Sequence, residues 1–135
     1  MNLNIPYMEA DNKLLNDAYR IAVGDIVGNI VYYQNGLLTE EKPCMIAGLD
    51  YNTPWTRDTA INIWNALSIL SPEVSKNTLL AVLEEEEGNI YIGGQYWDSI
   101  IWMIGAREYC RFHKDDNFYR LAFEAGRNSV HRLEE

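Results

Sequence analysis

Basic residues are scarce in this chain. Its 135 residues include 11 lysines and arginines against 20 aspartates and glutamates, for a formal charge of −9. Nucleic-acid phosphates and anionic membrane surfaces both require a basic footprint, so neither is expected as a partner; a neutral ligand fits better. Cysteine is equally rare. Cys44 and Cys110 stand apart with no Cys-x-x-Cys spacing, which argues against a disulfide framework or a zinc site. Both are read as free thiols, Cys110 as a buried one. His113 and His131 flank helix ends beside charged neighbours and have no ligand partner at metal spacing. Both are expected to be solvated, and no metal or cofactor is assigned. No apolar run approaches the ~18 residues of a membrane span. Met1-Asn2-Leu3-Asn4-Ile5-Pro6 has neither the basic region nor the apolar core of a signal peptide, so the expected setting is cytoplasmic.

What is present is apolar and periodic. Hydrophobic residues make up 47% of the chain, enough to give one domain over residues 1–135 a real core. From Tyr7 to about Tyr33, apolar residues recur at three- and four-residue steps, which predicts a long helix. Val31-Tyr32-Tyr33 could instead begin a strand. Residues 34 to 54 are aperiodic and carry Gly36, Pro43, Gly48 and Pro54, a loop long enough to be functional. Residues 58 to 70 are apolar around nearly the whole circumference, predicting a helix buried on all sides. Ser71 then reads as an N-cap with Pro72 at the first helical position. The amphipathic helix that follows, about residues 72 to 86, ends in the run Glu84-Glu85-Glu86-Glu87, read as a solvated edge opposing the macrodipole. A second glycine- and aromatic-containing loop, 90 to 98, precedes another mostly apolar helix to Phe112. An Asp in Lys114-Asp115-Asp116-Asn117 caps a last amphipathic helix.

An all-round apolar helix thus alternates twice with a one-faced helix. The two aspartates that close the loops, Asp58 and Asp98, lie 40 residues apart, a period expected of stacked helical hairpins. The expected fold class is all-α: stacked helical hairpins of about five helices. In such a stack the loops before the inner helices emerge on the same side, so both aromatic-Asp loops are expected to face one pocket, with positive helix ends pointing into it. The first loop ends Tyr51-Asn52-Thr53-Pro54-Trp55-Thr56-Arg57-Asp58. Aromatic faces cover the C–H side of a pyranose, while a guanidinium and a carboxylate bond adjacent hydroxyls as donor and acceptor. The candidate substrate-binding residues are therefore Tyr51, Trp55, Arg57, Asp58, Trp97 and Asp98, and the expected ligand is a neutral oligosaccharide.

Trp55-Thr56-Arg57-Asp58 opening an apolar helix, followed by Gln95-Tyr96-Trp97-Asp98-Ser99-Ile100-Ile101-Trp102, resembles the six-hairpin (α/α)6 glycosidases. Glucoamylase and the glucosidase domain of glycogen-debranching enzymes are the most similar. The resemblance covers roughly residues 14 to 130. It implies an incomplete (α/α)6 toroid, the N-terminal portion of a larger glycoside hydrolase barrel, with Arg57 and Asp58 holding hydroxyls of the non-reducing sugar before the scissile bond. Asp98 and Trp102 look like the aspartate and tryptophan of a second debranching-enzyme motif, although Trp97-Asp98-Ser99 departs from its Arg-Asp-Ala pattern. In the resembled enzymes the acid and base come from later hairpins. No catalytic residue is assigned, and the chain alone is expected to be hydrolytically inactive.

Plainer roles compete with these. Trp64 and Trp102 read as core packing. Trp55 and Trp97 pack their loops or stack on sugar. Arg57 and Asp58 form a local ion pair with a helix cap, or hold a ligand, and Asp98 is an N-cap or a ligand contact. For the whole chain the alternative is a non-catalytic helical-hairpin module that binds protein. A truncated barrel would leave a large apolar flank of the inner helices exposed, so that reading expects a homo-oligomer, whereas a complete small domain is expected to be monomeric.

Overall fold

The computed structural model describes residues 3–134; readings that touch Met1, Asn2 and Glu135 lie outside them. The chain runs α1 (Lys13–Gly28), β1 (Ile30–Tyr33), β2 (Lys42–Met45), α2 (56–70), α3 (Pro72–Ala81), β3 (Leu83–Glu86), β4 (Asn89–Ile92), α4 (Tyr96–Phe112) and α5 (Asp116–Glu134). Within α2, α-helical stretches at Thr56–Asn62 and Ser68–Leu70 flank a π turn at Ile63–Leu67. Strands β1 and β2 form one antiparallel pair, and β3 and β4 another.

The two sheets overturn the all-α expectation and, with it, the incomplete toroid of stacked hairpins. The long first helix stops at Gly28 because Ile30–Tyr33 pairs with Lys42–Met45, register Ile30↔Met45 to Tyr33↔Lys42. The loop 34 to 54 therefore contains a strand. The helix expected to reach residue 86 ends at Ala81, since Leu83–Glu86 turns back on Asn89–Ile92. Glu87 (φ 52°) and Gly88 (φ 79°) are both left-handed, as a two-residue hairpin turn of type I′ requires. The acidic run is thus an exposed strand, Glu84 to Glu86, and the first turn residue, Glu87, rather than a helix terminus. On it Glu86 pairs with Arg132, whose guanidinium lies 3.5 Å from the centre of the Tyr91 ring.

The helix starts follow their capping residues. Ser71 Oγ accepts from Val74 N–H at 3.3 Å with Pro72 opening α3. Asp115 Oδ1 accepts from Phe118 N–H at 3.0 Å ahead of α5. Between these elements lies one main core, in which Ile63 and Leu67 of α2, Leu79 of α3, Trp102 of α4 and Phe118 of α5 are fully enclosed. Trp102 Nε1 donates to the Leu79 carbonyl at 3.3 Å, so the indole both fills the core and has its polar atom satisfied.

Helices α2 and α4 run parallel, side by side. At their N-terminal ends Arg57 bonds Asp98, and near their C-terminal ends His113 Nε2 lies 2.7 Å from the Ser68 carbonyl. His113 is consequently half-buried and packed on Tyr109 rather than solvated; His131 is exposed. The two helices are not buried all round. Ile61 and Ile69 on α2 and Ile100 and Ile104 on α4 are exposed, as is Trp64, at 56%, so Trp64 is not a core residue. These apolar positions face solvent. Cys44 is buried, whereas Cys110 is only half-buried. Among the described residues no helix is long and apolar enough to cross a membrane.

Candidate functional site

The loops before α2 and α4 emerge together. Thr56 Oγ1 donates to the Gly93 carbonyl at 2.8 Å, and Gly93 N–H to the Val82 carbonyl at 2.9 Å, tying both loops to the end of α3. Asp58 and Asp98 occupy the same position, the third residue, of α2 and α4. Both carboxylates thus stand at the positive end of a helix. Arg57 Nη1 donates to Asp98 Oδ1 at 2.9 Å. The Asp98 side chain is 7% exposed and that of Arg57 36%, so the carboxylate is enclosed while the guanidinium still reaches the surface. Asp98 Oδ2 accepts from Gln95 N–H at 2.9 Å. Asp98 is therefore not the N-cap of α4 but the third helical residue, bonded back to the residue at the cap. Gly94 makes room for this with φ 110°, since a Cβ there would lie 2.6 Å from Asp98 Oδ2.

Arg57 thus pairs across the loops with Asp98, not locally with Asp58. The half-buried Asp58 carboxylate has no hydrogen-bond or ion-pair partner among the described residues. Tyr51 and Trp55 pack edge to face, ring centres 5.7 Å apart at 72°; each is half exposed, and Trp97 is 62% exposed. Trp55 stands at the cap of α2 and Trp97 in the first turn of α4. All six sequence-assigned residues therefore lie on the two loop–helix junctions. The junctions are joined by the Thr56–Gly93 latch and by the Arg57–Asp98 bond. The result is an open rim: none of the six lines the five best-formed cavities among the described residues.

Two features of the region escape sequence reading. Thr56 and the Gly93-Gly94 pair are the latch between the loops; the adjacent glycines were the available signal. Glu84, read as part of a helix terminus, lies on β3 with its Oε1 2.7 Å from where a Gly93 Cβ would be. It lines a polar cleft of about 220 Å³ with Asn35, Thr53 and Thr56. Among the described residues no three His, Cys, Asp or Glu are grouped to hold a metal.

The rim offers a guanidinium, an unpaired carboxylate at a positive helix end and exposed aromatic faces. Such a set can bind a polar, uncharged molecule having both hydroxyls and C–H faces. Comparison with protein-family models, with curated proteins and with solved structures finds no match.

Proposed function

We propose that this chain is a carbohydrate-holding part of an α-glycosidase acting on α-glucan-like oligosaccharides. In this reading, which keeps the six-hairpin glycosidase resemblance at the level of the motif, Arg57 donates to sugar hydroxyls and Asp58 accepts from them. Tyr51, Trp55 and Trp97 cover the apolar faces of the rings. Asp98 acts through Arg57, orienting the guanidinium rather than meeting the sugar itself. The observation that carries the reading is the 2.9 Å Arg57–Asp98 bond between loops 41 residues apart, which gathers the aromatic residues onto one rim.

The chain on its own is proposed not to hydrolyse. Asp98 is enclosed, and both of its oxygens are already engaged, one by Arg57 and one by a backbone N–H. An inverting pair would need a second carboxylate ~6.5–9.5 Å away across a sugar, and Glu84 opens instead onto the separate polar cleft. A cytoplasmic setting accompanies this proposal, with Cys44 and Cys110 both reduced.

Calorimetric titration with maltose, longer maltooligosaccharides and an acarbose-type inhibitor tests the reading. Binding is expected, and Arg57→Ala should weaken it by about tenfold or more, since a hydrogen bond to a charged group contributes roughly 1.5–3 kcal/mol. No binding, or an Arg57→Ala variant that binds like the wild type, contradicts it and favours the non-catalytic helical module. Glucose released from maltooligosaccharides by the purified chain would contradict the inactive assignment.

A further inference from the structure

We infer that the groove between α1 and α2 binds a small uncharged amphiphile, a linear alcohol of medium chain length by its chemistry. The inference is independent of the carbohydrate reading, since no residue of the rim takes part. Helix α1 lies on the molecule without burying a single residue. Beneath it three cavities follow one another through shared walls. The first, of about 350 Å³, is lined by Pro6, Tyr7, Glu9, Tyr19 and Arg20. Pro6 and Tyr19 also line the second, of about 230 Å³, where Val23 and Ile26 of α1 face Ala66 and Ile69 of α2. Ile26 and Ala66 in turn line the third, of about 190 Å³, which ends at Met45 and Asn62. Tyr19 to Ile26 of α1 therefore runs opposite Leu70 back to Asn62 of α2, a floor roughly 10 Å long at 1.5 Å per residue. Jointly the three fall within the ~300–1,000 Å³ of small-molecule sites.

The walls are fixed by bonds of their own. Ala66 and Leu67 belong to the π turn of α2, a distortion common at functional sites, and Ser68 Oγ donates to the Ile63 carbonyl of that turn at 2.6 Å. The segment before α1 is tied to both helices. Asn4 N–H donates to the Leu70 carbonyl at 2.7 Å, and Tyr19 OH to the Pro6 carbonyl. In the second cavity the one amide, Asn65, already donates to the Ile61 carbonyl at 2.8 Å, so an apolar chain leaves nothing there unpaired. The polar end selects the head group. Glu9 and Arg20 line it, Tyr7 OH donates to Glu9, and Asp17 pairs with Lys13 and, at 3.8 Å, with Arg20. Two cations there balance two anions, so a head of either sign meets repulsion, and an anionic one also meets the −9 of the whole molecule. A hydroxyl can donate to Glu9 and accept from Arg20.

The test is calorimetric titration of the chain with linear butanol, hexanol and octanol. Saturable binding of one molecule per chain is expected, with affinity rising about fourfold for each methylene that enters the groove. Octanoate and octylamine should bind more weakly than octanol. Val23→Phe and Ala66→Leu place side-chain volume in the second cavity from opposite walls; each should keep the wild-type circular dichroism and weaken octanol binding tenfold or more. Ala122→Leu, in the separate apolar groove of about 150 Å³ between α4 and α5, should bind octanol like the wild type. The wild-type series needs no variant: absent or non-saturable binding, or an affinity indifferent to chain length, overturns the proposal. So does tighter binding of octanoate or octylamine, or octanol binding that survives both filling variants or is lost only in Ala122→Leu.

Discussion

Gly105→Ala is the substitution in which opposing effects are most clearly weighed. A Cβ at position 105 would lie 2.7 Å from Ala60 Cα and 3.1 Å from both the Cβ and the carbonyl oxygen of that residue. Carbon atoms pack best at about 3.5–4.0 Å, so α2 and α4 must part by roughly 0.8 Å. None of the opposing atoms sits at the end of a flexible side chain that could swing away. Alanine favours the helix over glycine by about 1 kcal/mol. Overpacking costs about 1–3 kcal/mol, and a clash against backbone belongs in the upper half of that range. The net prediction is a loss of about 1–2 kcal/mol, or several degrees in Tm at about 4 °C per kcal/mol. The same displacement would stretch the 2.9 Å Arg57–Asp98 bond past the ~3.2 Å limit of a good one, so carbohydrate affinity should fall as well. Urea unfolding followed by tryptophan fluorescence, extrapolated to water, supplies the number. A variant as stable as the wild type, or about 1 kcal/mol more stable as helix propensity alone dictates, refutes the close approach of the two helices.

Two further predictions concern titration and reactivity. Asp115 accepts from Lys76 Nζ at 2.6 Å, Phe118 N–H at 3.0 Å and Tyr109 OH at 3.3 Å. The lysine bond, then the backbone N–H, hold its carboxyl below the usual value. The unfolded chain therefore protonates first, and the stabilisation is complete above the ordinary ~3.9 and lost as pH falls through the lower folded value. The stability gap between wild type and Asp115→Asn should be flat at neutral pH and narrow below about pH 4; a gap that widens on acidification contradicts the bond set. The Cys44 thiol is pushed up to about 12, chiefly by burial, and Cys110 is raised for the same reason but is only half-buried. Alkylation at mild alkaline pH should label Cys110 first and Cys44 only when the chain unfolds; equal rates in the native protein contradict the burial.

The helices were legible where local chemistry decided them. Ser71-Pro72 announced α3 and an Asp within Lys114-Asp115-Asp116-Asn117 announced α5; the loops before α2 and α4 do emerge together, but neither from stacked hairpins with fully buried inner helices nor onto the expected pocket. The β3–β4 hairpin was hidden because Leu79, Leu80, Val82 and Leu83 continue a helical period, and glutamates are good helix formers. The pairing of Leu83 with Ile92 across the Glu87-Gly88 turn outweighed that local preference. Exposure misled in a similar way. Trp64 and Ile100 have the composition of core residues, and only the packing of the helices leaves them facing water. At the site the six residues were readable as types, but the partner of Arg57 was not. Asp58 is adjacent in sequence, whereas the observed partner, Asp98, is brought in by the latch of Thr56 on Gly93.

The central claim is that the rim of Tyr51, Trp55, Arg57, Asp58 and Trp97 holds a neutral oligosaccharide. Its most direct measurement is an amide-resolved NMR titration of the ¹⁵N-labelled chain with a maltooligosaccharide. The account predicts saturable shifts concentrated at residues 51–58 and 94–98, together with the indole N–H signals of Trp55 and Trp97, and their loss in Arg57→Ala. A spectrum unchanged by the sugar, or shifts centred instead on Asn35 and residues 81–84, would contradict it.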